Sequence, residues 1–252
     1  MPPKRDSATQ LLADVSSAFG LLSRLPFPQT QRHRANAAWA WPMVGALVGA
    51  LSAGAGWAAM QIGMTSGIAA ALVLAIAALT TGALHEDGLA DSADGLFGGW
   101  TPARRLEIMK DSHIGSYGTL ALLVTSLAKW SAMGALLSAG AVGVIVAAAA
   151  LSRAPMAVIM AQLPHARTNG LSKSVGRPSF AAALVAAALA LLIASPLGVV
   201  TGGAMALAAA VAGLVVALLA RARLGGQTGD ILGASQQLAE LAALCTAVAI
   251  LH

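Results

Sequence analysis

A chain of 252 residues that is 58% hydrophobic, 10% charged and +0.77 in mean hydropathy excludes a water-soluble globular domain, where about a quarter of the residues carry charge. Its net charge of +5 comes without a basic helix or an aromatic-rich platform, which excludes nucleic acid as a partner and assigns the charge to topology and anionic lipid headgroups. A lone Cys245 excludes an internal disulfide and a cysteine metal cluster.

In chain order, the start MPPKRDSATQLLADVSSAFGLLSRLPFP does not read as a signal peptide, because Asp14 and several serines interrupt its apolar run. Leu11, Val15, Ala18, Phe19 and Leu22 share one helical face, so an amphipathic helix lying on the membrane is expected there. After the polar stretch 29–36 come seven apolar stretches, 39–60, 62–84, 119–137, 141–160, 180–199, 202–220 and 234–251. Each approaches the roughly 20 residues that cross about 30 Å of hydrocarbon. The fold class is therefore all-α: a polytopic helical membrane bundle in one domain, 1–252. The small-residue pairs Gly45/Gly49 and Gly54/Ala58 read as helix-packing surfaces.

Basic residues fix the expected orientation. Lys4, Arg5, Arg24, Arg32 and Arg34 precede the first span; Arg104, Arg105 and Lys110 follow the second; Arg167, Lys173 and Arg177 follow the fourth; Arg221 and Arg223 follow the sixth. The turns near Gln61, Ser138 to Gly140 and Thr201 carry no charge. The N-terminus is thus expected in the cytoplasm and the C-terminus outside.

Six of the ten acids fall between residues 86 and 111. In the stretch HEDGLADSADG, 85–95, a helix puts Asp87, Asp91 and Asp94 at i, i+4 and i+7 on one face. Two such charges about 6 Å apart repel by roughly 3 kcal/mol at an effective dielectric of about 20, so a counter-charge is expected. An oxygen-only donor set favours Mg²⁺, with Mn²⁺ or Ca²⁺ as alternatives. Gly88 and Gly95, each directly after an aspartate, suit close approach of a ligand or another backbone. His85 is a candidate ligand or proton carrier.

Downstream, RRLEIMKDSHIGSYG, 104–118, offers Arg104 and Arg105 to phosphate oxygens, pairs Glu107 with Asp111, and ends in a tight glycine loop suited to wrapping a ligand. Lys129 and Arg153 interrupt spans, where an unpaired charge costs about 3 kcal/mol; each is expected to pair with a carboxylate or bind substrate. In GGQTGDILGA, 225–234, Asp230 is expected to cap the last helix or meet a metal. The chain has no GxxxxGK[ST], GxGxxG after a strand, HExxH or GxSxG. Carboxylates, Mg²⁺ and arginines on one membrane face suit the making or breaking of a phosphoanhydride or phosphodiester bond.

Five segments in order, LLSRLPFP at 21–28, HEDGLADSADGLFGG at 85–99, RRLEIMKDSHIGSYG at 104–118, LSRAP at 151–155 and GGQTGDILGA at 225–234, together resemble the cobalamin synthase (adenosylcobinamide-GDP ribazoletransferase) family. The resemblance implies a Mg²⁺-dependent multi-pass enzyme of the bacterial inner membrane, with its active site on the cytoplasmic side. It would join α-ribazole, or its 5′-phosphate, to adenosylcobinamide-GDP and release GMP. By the same resemblance Asp87, Asp91 and Asp94 hold the metal, and Arg104, Arg105, Lys129, Arg153, Gln227, Thr228 and Asp230 bind substrate. His85, Glu86 or Asp111 is then the catalytic base. His113 departs from the family's pattern. A homo-oligomer is compatible with the sequence. Two other readings have partial support: a CDP-alcohol phosphotransferase-like enzyme, from the opening of DSADG, and a transporter using Lys129, Arg153 and Glu240.

Overall fold

A computed structural model describes residues 7–28 and 33–251. The predicted cytoplasmic cations Lys4, Arg5 and Arg32, with Asp6 and residues 29–32 of the polar stretch, lie outside the described residues. Among the described residues every regular element is helical: α1 (Ser7–Leu22), a 3-10 turn (Ala35–Ala40), α2 (Trp41–Gln61), α3 (Ser66–Thr81), α4 (Leu84–Gly98), α5 (Pro102–Ile108), α6 (Ser116–Ser138), α7 (Val142–Leu151), α8 (Arg153–Gln162), α9 (Leu171–Val175), α10 (Phe180–Ala194), α11 (Gly198–Leu224) and α12 (Gly229–Leu251). An isolated bridge joins His165 to Gln227.

Five segments are long and apolar enough to cross a bilayer: Ala35–Gln61, Ser116–Ser138, Val142–Gln162, Phe180–Leu224 and Gly229–Leu251. A sixth appears when α3 and α4 are taken together across their 90° bend. The 45 residues of Phe180–Leu224 would be more than twice the hydrocarbon thickness as one straight helix. They form a hairpin instead. Pro196 removes an amide, Gly198 turns at φ +79°, and Gly202 of α11 returns against the Ala194 carbonyl of α10. The break therefore falls at residues 195–198 rather than near Thr201.

The second predicted span, 62–84, also changes. Helix α3 stops at Thr81 because Gly82 and Ala83 both take left-handed conformations, φ +68° and +55°. The Ala83 amide donates to the Ala78 carbonyl at 2.7 Å, closing the helix end as a Schellman-type cap. Helix α4 then starts at right angles to α3. Lys129 and Arg153 fall inside helices as expected, with a one-residue break at Ser152 between α7 and α8.

Small residues set the crossings. Gly45 and Gly49 of α2 lie against Ala149 of α7, so that predicted surface is real. Gly54 faces open space, and Gly56 packs on Val73 and the Ala69 carbonyl of α3 in its place. Helix α1 docks on the bundle rather than merely lying on the membrane. Its predicted face buries Ala18, Phe19 and Leu22 in one core cluster with Trp41, Met156 and Met160, while Leu11 remains exposed. Asp14 pins it in place, ion-paired with Arg34 at 2.6 Å and accepting from Trp39 Nε1 at 3.2 Å.

Three arginines meet around α5, where Arg167 Nη2 donates to the Leu106 carbonyl at 3.4 Å. Arg105 Nη1 donates to the Arg223 carbonyl at 3.0 Å, and Arg223 Nη1 to the Leu96 carbonyl at 2.8 Å. These bonds tie α4, α5 and α11 together there.

Candidate active site

The stretch HEDGLADSADG is helical throughout, within α4. Its two glycines admit other parts of the chain. A Cβ on Gly88 would stand 2.8 Å from the Asp230 carbonyl oxygen, and one on Gly233 would stand 3.2 Å from the Gly88 and His85 Cα atoms. Helices α4 and α12 thus cross backbone to backbone, which brings Asp87 and Asp91 beside Asp230. Gly95 admits Met109 and the Arg105 carbonyl.

The aspartates divide. Asp94 is buried, and its oxygens accept from the amides of Gly115 at 2.7 Å and Gly118 at 2.9 Å. It caps α6, satisfying orphan amides where the helix dipole favours a negative charge. The SHIGSYG loop therefore wraps a carboxylate of this chain, since a Cβ at either glycine would clash with Asp94. Asp87 is exposed and Asp91 half-buried. Asp91 lies in the electrostatic field of Asp87, Asp230 and Arg167.

Asp87 borders a cavity of about 130 Å³ with an apolar floor that includes Leu21, Trp41, Met156 and Met160. Its polar wall includes His85, His165, Arg167, Lys173 and Asp230. Arg167 Nη1 pairs with Asp230 Oδ2 at 3.0 Å. The Thr228 hydroxyl donates to the same oxygen at 3.2 Å and accepts from the Ile231 amide at 3.3 Å. Thr228, rather than Asp230, caps α12, which leaves the Asp230 carboxylate to Arg167. Gln227, 1% exposed, lines the cavity with Thr228, and its side-chain amide is engaged by Ser172 and His165.

A second polar group lies inside the bundle. Lys129, 3% exposed, donates to Glu240 Oε2 at 2.7 Å and Gln237 Oε1 at 2.6 Å. Gln236 Nε2 also reaches Glu240 at 2.9 Å and Ser152 Oγ at 3.0 Å. Gln237 Nε2 donates to Glu86 Oε1 at 2.9 Å. Arg153 Nη1 binds the Ala149 carbonyl and Ser152 Oγ, both at 2.9 Å. A void of about 20 Å³ bordered by His85, Glu86 and Arg153 sits among them.

Three predicted substrate contacts are thereby placed elsewhere. Lys129 is closed onto Glu240, Arg153 is buried against α7, and Arg105 is turned to the Arg223 carbonyl. Arg104 is an exposed i, i+3 pair with Glu107 at 2.7 Å. Asp111 is exposed and bonded to His113 Nδ1 at 2.8 Å, and that contact holds its carboxyl below the usual carboxylate range. Neither borders the cavity. Of the three base candidates, only His85 does; its Nε2 is buried without a hydrogen-bond partner. Sequence reasoning assigned Arg167 and Lys173 to topology alone and passed over His165 and Ser172. The signal for them was a polar LPHARTNGLSKSVG run between two apolar spans.

Among the described residues no three His, Cys, Asp or Glu side chains converge at ligating distance. Asp87, which lines the cavity, and Asp91, one helical turn further along α4, suit an ion that takes one or two carboxylates and completes its shell with water and substrate phosphate. They fit Mg²⁺ on those terms. Asp94, with both oxygens engaged by backbone amides, is the least available of the three.

The profile of the family described as Cobalamin-5-phosphate synthase matches residues 14–248. A relative from Bradyrhizobium diazoefficiens, named adenosylcobinamide-GDP ribazoletransferase, is 42% identical over 198 residues, which cover 77% of this chain and 76% of the relative. A protein of the same name from Mesorhizobium japonicum is 41% identical over 204 residues, 79% of this chain and 78% of its own. No solved structure matches.

Proposed function

The chain belongs to the cobalamin-5-phosphate synthase family, and from that premise we propose that its cavity is where α-ribazole, or its 5′-phosphate, is joined to adenosylcobinamide-GDP. The protein is a membrane transferase of cobalamin nucleotide-loop assembly. The observation that carries the cavity assignment is the meeting of Asp87 and Asp230 with Arg167 and Lys173 over an apolar floor. Pyrophosphate needs cations, a metal needs carboxylates, and a large apolar substrate needs the floor.

In the proposed step the ribazole hydroxyl forms a new oxygen–phosphorus bond at the cobinamide-linked phosphorus. The bond from that phosphorus to the GMP oxygen breaks, and its electron pair leaves with GMP. Arg167 and Lys173 hold phosphate oxygens. His85, behind Asp87, takes the hydroxyl proton on Nε2. Asp87 and Asp91 would hold Mg²⁺, which when bound supplies positive charge against the departing phosphate. The cluster of Arg105, Arg167 and Arg223 would face the cytoplasm of the bacterial inner membrane, in line with the positive-inside rule.

The test is condensation by the purified chain in detergent with adenosylcobinamide-GDP, α-ribazole and Mg²⁺. GMP release that depends on all three is expected. Absence of GMP at any metal concentration would sink the proposal.

A further inference from the structure

The cavity wall contains a hydrogen-bonded trio that the mechanism above does not use. His165 follows α8, and Gln227 precedes α12. Their backbones are clamped together: the Gln227 amide donates to the Pro164 carbonyl at 2.8 Å, and the Ala166 amide to the Gln227 carbonyl at 2.9 Å. The buried Ser172 hydroxyl donates to Gln227 Oε1 at 2.7 Å. That bond orients the carboxamide, whose Nε2 then stands 2.8 Å from His165 Nδ1. An amide NH₂ only donates, so Nδ1 is the acceptor and the neutral ring carries its proton on Nε2. Burial lowers the His165 pKa, and Lys173 and Arg177 lower it further, so the ring stays neutral near pH 7. With Nδ1 engaged by Gln227 Nε2, the ring's own Nε2 is the nitrogen left for a ligand in a cavity shared with Arg167, Asn169 and Lys173.

We propose that Gln227 and Ser172 are positioning residues that lock His165 as an Nε2–H donor to a phosphate oxygen of the nucleotide substrate. The inference rests on reading this cavity as the substrate site. It gives the buried glutamine of GGQTGD a task, which is to set a tautomer from behind. A neutral donor beside Arg167 and Lys173 adds a directed hydrogen bond without adding like charge.

The full chain, labelled with ¹⁵N-histidine in nanodiscs, tests this by NMR, with His165→Gln identifying the signal among five histidines. Wild type is expected to show neutral His165 with the proton on Nε2 at pH 7. A proton on Nδ1, the result of a reversed Gln227 amide, overturns the proposal. Gln227→Glu, whose carboxylate only accepts, is expected to move the proton to Nδ1 or charge the ring; an unchanged tautomer overturns the lock. GDP is expected to shift the His165 signal and guanosine to leave it alone; equal shifts, or none, overturn the phosphate contact. In the condensation assay Gln227→Glu should raise KM for adenosylcobinamide-GDP about tenfold, the worth of one hydrogen bond, with a smaller effect on kcat. An unchanged KM alongside a shifted tautomer overturns the substrate role. The NMR results do not depend on turnover, so failure of the condensation assay and failure of this inference are distinguishable.

Discussion

The bundle interior and the end cavity hold similar side chains under opposite rules. In the interior Lys129, Glu240, Gln236 and Gln237 close onto one another, with the buried Lys129 and Glu240 paired at 2.7 Å. At the cavity Asp87 is exposed, Lys173 is exposed, and Arg167 with Asp230 is the one ion pair among the described lining residues. A closed set holds helices together; an open set has capacity left for a ligand. Charge inside a membrane protein is therefore a poor guide to chemistry until its partners are known.

That contrast can be broken first through Glu240. Glu240→Gln leaves Lys129 as an uncompensated buried cation, and a loss of about 3–5 kcal/mol is expected, read as a large fall in the melting temperature in detergent. Full stability in that variant would mean that the interior pair holds nothing. Next comes Asp87→Asn, expected to lower kcat/KM by about 10²–10³-fold, the scale of losing one preorganised electrostatic group, while the melting temperature stays within a degree or two of wild type. A melting temperature that falls with the activity would move Asp87 to the structural side of the comparison.

Asp94→Ala is expected to cost about 1–2 kcal/mol through the lost cap of α6, with activity at low temperature reduced less than in Asp87→Asn. Thermal melts paired with initial rates at two temperatures separate these effects. If Asp94→Ala keeps its stability and loses all turnover, Asp94 belongs with the metal ligands after all. The smallest effect is expected from Arg104→Ala, since an exposed i, i+3 pair contributes little. A KM for adenosylcobinamide-GDP that rises severalfold in that variant would extend the site beyond the cavity.

The helix of HEDGLADSADG and its carboxylate face were legible because both follow from a 3.6-residue period. So was the need of Lys129 for a partner, because an unpaired cation in a span is costly. The fates of the aspartates were not legible. Whether Asp94 meets a ligand or the amides of Gly115 and Gly118 depends on where α6 begins in space, which no local pattern encodes. The 90° bend after α3 was hidden for a related reason: hydropathy runs straight through Gly82 and Ala83 although the backbone does not. The 163–175 segment was missed because a functional polar loop and an ordinary connecting loop have the same composition. Its role appears only when Gln227, 62 residues away, closes on His165.

The crossing of α4 and α12 also acts as a gauge. At Gly88 and Gly233 two backbones touch with only hydrogen atoms between them. The same contact sets the gap between Asp87 on one helix and Asp230 on the other. A single methyl group at either glycine would work as a shim, spreading both helices and widening the aperture between the two carboxylates. Alanine and serine at position 88 would thus form a graded ruler, converting added atoms at a point that touches no substrate into a measured change in the width of the site.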